Sequence, residues 1–521
     1  MNAYFISLSK YVNTGILAVF TILAYLGIAA GSDRGRRVIS IFQTLLLTAF
    51  LVNANLTIAW TVRGTNGRLI CLLCAMEILF MLSFMVLYRI VHEMANMTLF
   101  NNLCMLLSIG FVMITRIAYY GSSDSISLKA NEPIKQFVMA AAGMMAMLII
   151  PFFRRLFDSM RHLWLLFAIT GIIMLMGVLL LSSATNGAMI TYTIAGFTFQ
   201  PSEFVKILFL LMLAGILSTE VTVEKAVFTV VLSLLHVGTL VLSRDLGSAL
   251  IFFIVFLMML FLATGRKLVI AAGLFAGSVG AVVCYYLFDH VKIRVQVWRD
   301  PFSLINDNGY QIAQSLFSIS YGGPWGAGLT HGSPDRIPQV ETDFIFAAIA
   351  EEMGLVFSVC LLLICVNCFI RIIILSASYS NRFFQLFTYG AAVCYIFQTF
   401  LTVGGETKFI PLTGVTLPLV SYGGSSVLST LIMMGIVEMI FILHNERTVR
   451  FEERYEMEHP SQEDFEELYS ADFQADSEQE SDGFRGQDQT GNRPESYFYR
   501  EDELPENFPV NGISDEGIFD N

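Results

Sequence analysis

The feature that most constrains this chain is a long succession of apolar stretches. A helix needs about 20 mostly apolar residues to cross the hydrocarbon core of a bilayer. About thirteen stretches reach or approach that length, and they lie near residues 12–31, 38–61, 69–90, 98–119, 134–152, 163–182, 204–219, 226–241, 247–264, 268–287, 345–375, 383–402 and 425–443. Only 14% of the 521 residues are charged, against about 25% in ordinary soluble domains. The sequence therefore predicts an all-α polytopic membrane protein.

Basic residues in the short loops predict the orientation of these helices, because Lys and Arg accumulate on the cytoplasmic side of a membrane. They cluster after alternate apolar stretches and after the last one, as Arg34, Arg36 and Arg37, then Arg154, Arg155 and Arg161, then Arg266 and Lys267, then Arg371 and Arg382, and finally Arg447 and Arg450. This alternation places the N-terminus outside and the C-terminus in the cytoplasm, although Arg63 and Arg68 do not fit it.

The same alternation makes residues 288–344 the largest extracellular loop. Loops of that length inside a packed protein are usually functional or disordered. This one is not of low complexity and contains Trp298, Trp325 and several glycines. We therefore expect it to be ordered.

The charge of the chain is divided between a mildly basic body and a strongly acidic end. Residues 1–450 have a net charge of +6, whereas residues 451–521 carry 22 Asp and Glu against 4 Arg. The acidic end is also rich in Gln, Ser and Asn, a composition typical of disorder. We expect a disordered cytoplasmic tail that is either solubilising or partner-docking, and no nucleic-acid partner. The eight cysteines mostly lie in apolar stretches, where buried thiols are usual, and they predict no metal site.

Charged residues at membrane depth are costly and tend to be functional, and three clusters of them lie at or near outward ends of helices. In the first, Glu203 and Lys206 are three residues apart, so they share a helix face and can pair. Ser202 is suited to cap that helix. The second cluster contains Arg244 and Asp245 between two apolar stretches. Each cluster has two readings: a structural pair or turn, or the lining of a polar cavity for an anionic or sugar ligand.

A third cluster surrounds Asp343, which lies where the extracellular loop meets a strongly apolar helix. A carboxylate there can simply cap a helix. With Glu341 and Asp335 nearby, it can also serve as a general base at the membrane surface. Glu351 and Glu352 follow two turns later, and acids that deep require basic partners from another helix.

A fourth polar segment, residues 404–426, contains five glycines and two prolines. Irregular backbone near a membrane persists only where it is buried in protein or lines a water-filled cavity. Its backbone N–H groups, around Ser421, Gly423 and Gly424, and its Lys408 can hold a phosphate. Together the four segments predict an outward-facing polar cavity.

At these segments the chain resembles the SEDS family of RodA, FtsW and SpoVE. The resemblance is carried by Asn186-Gly187-Ala188, residues 199–206, Asp245-Leu246-Gly247-Ser248, Gly309-Tyr310-Gln311, Gln314-Ser315-Leu316, Gly322-Gly323, Gly326-Ala327-Gly328, residues 342–354 and residues 411–426. These motifs keep the family order from about 98 to 443, and the most similar branch is RodA-like with additional N-terminal helices. A run of short motifs in one order is far more specific than any single motif.

The resemblance implies a ten-helix core over residues 96–450, about three additional transmembrane helices over residues 1–95, and a tail over residues 451–521. It implies a peptidoglycan glycosyltransferase of the bacterial plasma membrane, acting in cell elongation, division or sporulation. Such enzymes polymerise lipid II, an undecaprenyl-pyrophosphate-linked disaccharide-peptide, beside a class B penicillin-binding protein. Membrane lipid surrounds them.

For the site, the resemblance makes Asp343 the catalytic residue, with Asp335 at the position of a second family acid. Lys206, Arg244 and Lys408 are candidate contacts of the leaving pyrophosphate, from their charge and side. The remaining candidate substrate-binding residues are Glu203, Asp245, Ser421, Gly423 and Gly424. Where family members have a basic residue after Asn-Gly-Ala, this chain has none, and Lys408 is a candidate replacement.

Two other functions fit the same features. A flippase that moves lipid II across the membrane also needs many helices and buried charges. A non-catalytic scaffold that recruits the penicillin-binding protein needs no base. No cofactor is required by the motifs, and a role for Mg²⁺ or Mn²⁺ is left open.

Overall fold

The computed structural model describes residues 2–61, 65–119, 131–181, 192–194 and 197–458. Its helices are α1 (Asn2–Ala29), α2 (Asp33–Thr61), α3 (Thr65–Val91), α4 (Met97–Tyr119), α5 (Glu132–Ile149), α6 (Arg154–Met160), α7 (Trp164–Leu181), α8 (Pro201–Leu217), α9 (Val223–Leu242), α10 (Leu246–Thr264), α11 (Lys267–Leu287), α12 (Asp289–Arg299), α13 (Tyr310–Gly322), α14 (Val340–Asp343), α15 (Ile345–Met353), α16 (Leu355–Ser378), α17 (Arg382–Glu406) and α18 (Gly424–Glu458). Short 3₁₀ turns cover Ile150–Phe153, Arg161–Leu163 and Pro334–Arg336. Two strands, β1 (Tyr192–Ile194) and β2 (Phe197–Phe199), pair antiparallel with Tyr192 opposite Phe199.

Within the described ranges, 12 helices are long and apolar enough to cross a membrane, which confirms the all-α polytopic class. Two stretches differ from the expected thirteen. Helix α8 forms where expected but covers only 17 residues. The stretch 345–375, predicted as one helix, is two, because the chain turns at Gly354 with φ 89°. A Cβ at Gly354 would collide with the backbone nitrogen of Gly326, so the turn depends on glycine.

Helix α4 lies at the centre of the bundle, with nearly every residue buried. Its Arg116 is fully buried and donates from Nε to Oε1 of Glu352 at 2.8 Å, with Nη2 at 2.7 Å from the same oxygen. Arg116 Nη2 also donates to the carbonyl of Gly332 at 2.9 Å. The expectation of a basic partner from another helix is confirmed for Glu352. For Glu351 it is wrong, because Glu351 forms no ion pair among the described residues.

The long loop, residues 288–344 between α11 and α15, is ordered, as expected, since it contains α12, α13 and α14. Its second half lies along α15, where the backbone N–H groups of Ala327 and Gly328 donate to the carbonyls of Glu351 and Glu352, each at 2.9 Å. The carboxylate of Glu351 accepts from the N–H of Ser333 at 2.6 Å. The loop and α15 therefore form one hydrogen-bonded layer.

The three N-terminal helices pack on the remainder of the bundle through α1 against α16 and α2 against α4. Arg371 of α16 donates from Nη2 to the carbonyl of Ala24 in α1 at 2.8 Å. At the other end of α1, Lys10 Nζ donates to the carbonyl of Gly326 in the long loop at 2.8 Å. These polar contacts fix α1 at both ends. Dispersion forces alone would let α1 slide along its apolar neighbours.

The chain divides into two units, Met1–Arg450 and Phe451–Asn521. The predicted disordered tail lies outside the described residues from 459 onward. Over residues 451–458 the prediction of disorder is wrong, because helix α18 continues to Glu458. The Asn186-Gly187-Ala188 motif also lies outside the described residues.

Arg116→Met should lower the thermal unfolding midpoint of the purified protein strongly, because it leaves Glu352 buried without its counter-charge. Removing one partner of a buried ion pair typically destabilises a protein by about 3–5 kcal/mol. Lys292→Gln is the matched control, since its pair with Asp289 is exposed and such pairs contribute about 0–1 kcal/mol. Equal midpoints for the two variants would contradict this role for Arg116.

Candidate active site

The pair predicted between Glu203 and Lys206 is present in the first turns of α8. Lys206 Nζ lies 2.7 Å from Glu203 Oε2, and both side chains are nearly fully buried. Lys206 also donates to Gln398 Oε1 at 2.8 Å, and Ser429 Oγ donates to Glu203 Oε2 at 3.0 Å. The charges of this pair therefore balance each other within the bundle.

Asp245 is tied to the same helix end. It caps α10, with Oδ1 accepting from the N–H of Ser248 at 3.1 Å, while Oδ2 accepts from Ser202 Oγ at 3.1 Å. The prediction that Ser202 caps α8 is wrong, because the cap residue is Gln200, whose side chain donates to Ser202 Oγ at 3.2 Å and does not cap the helix. Burial raises the pKa of the Asp245 carboxyl above its usual value, although these hydrogen bonds oppose the change.

Arg294 of α12 is close enough to two carboxylates for their charges to act on it. Burial lowers the pKa of its guanidinium, and the negative charges of Asp343 and Asp245 oppose that shift. Its Nη1 donates to the carbonyl of Thr413 at 3.2 Å. Sequence reasoning missed Arg294: the only signal was a basic residue in the extracellular loop, a property that Lys292 and Arg299 share.

Arg244, a predicted pyrophosphate contact, lies in the turn before α10 with φ 63°. Arg244 is close enough to His290 of α12 for its positive charge to lower the pKa of that imidazole. Burial is the largest cause of this lowered pKa, and the positive charge of Arg294 adds to it. Arg244 is therefore on the α12 side of the cluster.

Asp343 ends the four-residue helix α14, which begins after Gln339 in a left-handed conformation with φ 57°. The side chain is half-buried. Burial raises the pKa of its carboxyl to about 6; the hydrogen bond from Thr342 and the charge of Arg294 lower it, and Glu341 raises it. Asp343 does not cap α15, whose first residues follow Phe344 without a side-chain cap. Its carboxylate is thus available for chemistry.

The segment from α17 to α18 is attached to the backbone of α14. Ser421 Oγ donates to the carbonyl of Thr342, and the N–H of Tyr422 donates to the carbonyl of Glu341, each at 2.7 Å. Gly414 has φ 72°, and a Cβ there would lie 3.5 Å from Asp343 Oδ2 and 3.9 Å from Arg294 Nη2. This segment therefore forms a wall beside Asp343.

Helix α5 supports the other end of that wall through a side chain that sequence analysis did not select. Gln136 Nε2 donates to the carbonyl of Ser421, and its Oε1 accepts from the N–H of Gly423, each at 3.2 Å. Gly424 begins α18, and a Cβ there would lie 2.9 Å from Met139 Cγ. The backbone N–H of Gly423 is therefore occupied, which removes it as a phosphate donor in this structure.

Lys408 lies at the start of the wall, and Asp335 lies outside the elements that form the cluster. The carbonyl of Lys408 accepts from Trp298 Nε1 at 3.2 Å, and Asp335 lies in the 3₁₀ turn that packs near α15. Within the described part of the chain, no hydrogen bond or ion pair joins either side chain to Asp343, Arg294 or Asp245. The described residues also contain no group of three His, Cys, Asp or Glu side chains that could hold a metal ion.

The cluster therefore joins α8, α10, α12, α14 and the wall into one polar site, and comparison with known proteins identifies its family. A family model for the FtsW, RodA and SpoVE group, described as cell cycle protein, matches residues 96–446. The chain belongs to the FtsW/RodA/SpoVE family. The resemblance carried by the sequence motifs is confirmed, and the N-terminal helices lie outside the matched residues.

Two relatives show the extent of the similarity. The peptidoglycan glycosyltransferase RodA of Mycobacterium tuberculosis is 38% identical over 274 residues, which cover 50% of this chain and 58% of the relative. The probable peptidoglycan glycosyltransferase FtsW of Methylomonas methanica is 29% identical over 371 residues, covering 68% and 93%. The match thus spans little more than half the length of the mycobacterial relative.

Two solved structures share the fold. One, described as the structural coordination of polymerization and crosslinking by a peptidoglycan synthase complex, has 26% identity and a TM-score of 0.56 over 68% of this chain and 98% of that one. The other is a point variant of the rod shape determining protein RodA of Thermus thermophilus, with 25% identity and a TM-score of 0.50 over 67% and 97%. The chain is accordingly a multi-pass membrane protein of this family.

Ser421→Ala should destabilise the protein measurably, because Ser421 Oγ both donates to Thr342 and accepts from the N–H of Leu417 at 2.9 Å. Leaving two buried groups without partners is expected to cost about 1–3 kcal/mol each. Ser378→Ala is the control, since Ser378 makes one local bond to Leu375. Thermal unfolding of the two variants checks the prediction, and equal midpoints would contradict it.

Proposed function

We propose that this protein is a peptidoglycan glycosyltransferase that polymerises lipid II at the outer face of the bacterial plasma membrane. The observation that carries the proposal is the half-buried carboxylate of Asp343, with a pKa raised to about 6 and the half-buried guanidinium of Arg294 near it. A base with a pKa near the working pH is suited to proton transfer. The RodA and FtsW relatives, which are described as peptidoglycan glycosyltransferases, support the same activity.

In the proposed reaction, Asp343 takes the proton of the acceptor sugar hydroxyl. The hydroxyl oxygen then forms a bond to the anomeric carbon of the donor sugar, and the bond from that carbon to the pyrophosphate oxygen breaks. The electron pair leaves with undecaprenyl pyrophosphate. A positioned general base contributes about 10²–10⁴ in rate.

The leaving group develops negative charge, which a preorganised cation stabilises. Arg294 is the cation best placed for this, because it lies beside Asp343 without being neutralised by an ion pair within 4 Å among the described residues. Lys206 is already paired with Glu203 in the bundle. We therefore propose that Lys206 supports the site rather than the pyrophosphate, with Arg244 as a second contact on the α12 side.

We also propose a class B penicillin-binding protein as the partner. The support is the solved neighbour from a peptidoglycan synthase complex in which polymerization and crosslinking are coordinated. The basic loops support an extracellular position for the long loop and a cytoplasmic C-terminus.

Asp343→Asn should abolish detectable polymerisation of purified lipid II by the protein with its partner, because loss of a general base is expected to lower the rate by about 10²–10⁴. Asp307→Asn is the matched control, because Asp307 is exposed in the same loop and the charge change is identical. Glycan strands are measured by gel electrophoresis, and thermal unfolding confirms that both variants fold.

Strands from a folded Asp343→Asn protein would remove Asp343 from the role of base while keeping the polymerase. Absence of strands from the wild type with its partner would instead favour a flippase or a scaffold. Transport of a fluorescent lipid II across a vesicle membrane then distinguishes these two.

The polymerisation rate should fall as the pH decreases through about 6, because only the ionised carboxylate accepts a proton and the pKa of Asp343 is raised to about 6. Arg294 lowers this pKa, so Arg294→Gln should move the acidic limb to higher pH as well as reduce the maximal rate. Arg299→Gln, on the exposed face of α12, should leave the limb in place. An unshifted limb in Arg294→Gln would contradict the proposed proximity.

A further inference from the structure

A second polar cavity lies at the opposite end of the bundle from Asp343. Helix α8 connects the two places: Glu203 in its first turn belongs to the candidate active site, whereas Gly215 and Ile216 in its last turn line the second cavity. Seventeen helical residues span about 25 Å. The second cavity is therefore at the other membrane surface and is separate from the proposed catalytic site.

The cavity has a volume of about 730 Å³ and is lined by basic side chains, namely Arg161, His162, Lys225 and Arg382. None of its lining residues is acidic. Arg161 Nε donates to His162 Nε2 at 3.0 Å, so the guanidinium of Arg161 hydrogen-bonds to another basic side chain. Across the described ranges, no ion pair involves Arg161, Lys225 or Arg382.

Helix ends add to the positive potential of this cavity. Helices α7, α9 and α17 begin at or next to it, at Trp164, Val223 and Arg382. The N-terminal end of a helix carries partial positive charge, where a cation is unfavourable and an anion is stabilised. Lys225 and Arg382 nonetheless lie in the first turns of α9 and α17. An anion in the cavity would offset that repulsion.

One side of the second cavity is aromatic. Trp164 and Phe228 meet edge to face with ring centroids 5.7 Å apart, and 42% of the Phe228 side chain is exposed. Trp is typical of the membrane–water interface. Cations on one side and exposed rings on the other match an amphiphile with an anionic head, whereas a free inorganic anion has nothing to place against the rings.

We propose that this cavity binds the phosphodiester headgroup of an anionic phospholipid from the leaflet opposite the active site. Arg161, Lys225 and Arg382 meet the phosphate oxygens, and Trp164 and Phe228 cover the glycerol and the upper acyl chains. Basic pockets between membrane helices recognise such headgroups, and cavities of about 300–1,000 Å³ suit small ligands. The basic lining is thus a specific site rather than a general positive surface.

The test measures binding of phosphatidylglycerol, phosphatidylcholine and inorganic phosphate to the full-length protein in detergent, by native mass spectrometry for the lipids and by protection against thermal unfolding for all three. The test variant is Arg161→Gln with Lys225→Gln. The matched control is Arg266→Gln with Lys267→Gln, which removes the same charge from exposed residues outside the cavity.

The wild type and the control are expected to bind phosphatidylglycerol in preference to phosphatidylcholine. The cavity variant should bind it about thirtyfold more weakly, because each basic residue at a membrane surface contributes on the order of fivefold. Equal losses in both double variants would overturn the proposal in favour of a diffuse positive surface. Protection by inorganic phosphate equal to that by phosphatidylglycerol would also overturn the proposal, since Trp164 and Phe228 would then contribute nothing to binding.

Discussion

A charged pair inside a membrane bundle is retained only when its geometry and additional hydrogen bonds compensate for the loss of water. Arg116 and Glu352 have such additional hydrogen bonds, because the guanidinium also donates to the carbonyl of Gly332 and Glu352 Oε1 also accepts from the N–H of Gly332 at 3.2 Å. The pair ties the central helix α4 to α15. Since α15 directly follows Asp343, the position of the proposed base relative to the bundle depends on this contact.

From that anchor the site is assembled by backbone contacts rather than by side-chain charges alone. Ser421 and Tyr422 attach the wall to α14, and Glu406 at the end of α17 accepts from the N–H of Ala347 at 2.8 Å. The Asp343 carboxylate and the Arg294 guanidinium both lie near Gly414 of the wall. The arrangement separates the groups that support the site from the groups that can meet substrate.

Sequence analysis predicted the helices well because apolar length is a local property of the chain. It predicted α15 and α16 as one helix, because the sequence around Gly354 does not show that the loop at Gly326 packs against this glycine. It selected Asp343, Glu203, Lys206 and Asp245 because buried charge is rare. It could not select Arg294 or Gln136, because their hydrogen-bond partners Thr413 and Ser421 lie more than a hundred residues away in the sequence. It also anticipated a basic partner for Glu352 without being able to name it.

The docking of α1 along α16 has a consequence for assembly. The hydrogen bonds from Arg371 to Ala24 and from Tyr25 to the carbonyl of Leu363 at 3.0 Å show that this flank of α16 is already occupied by the chain itself. A membrane helix from another protein therefore cannot use that flank without displacing α1. The additional N-terminal helices thus cover one flank of the bundle. A partner helix is restricted to the lipid-facing surfaces that α1 to α3 leave open.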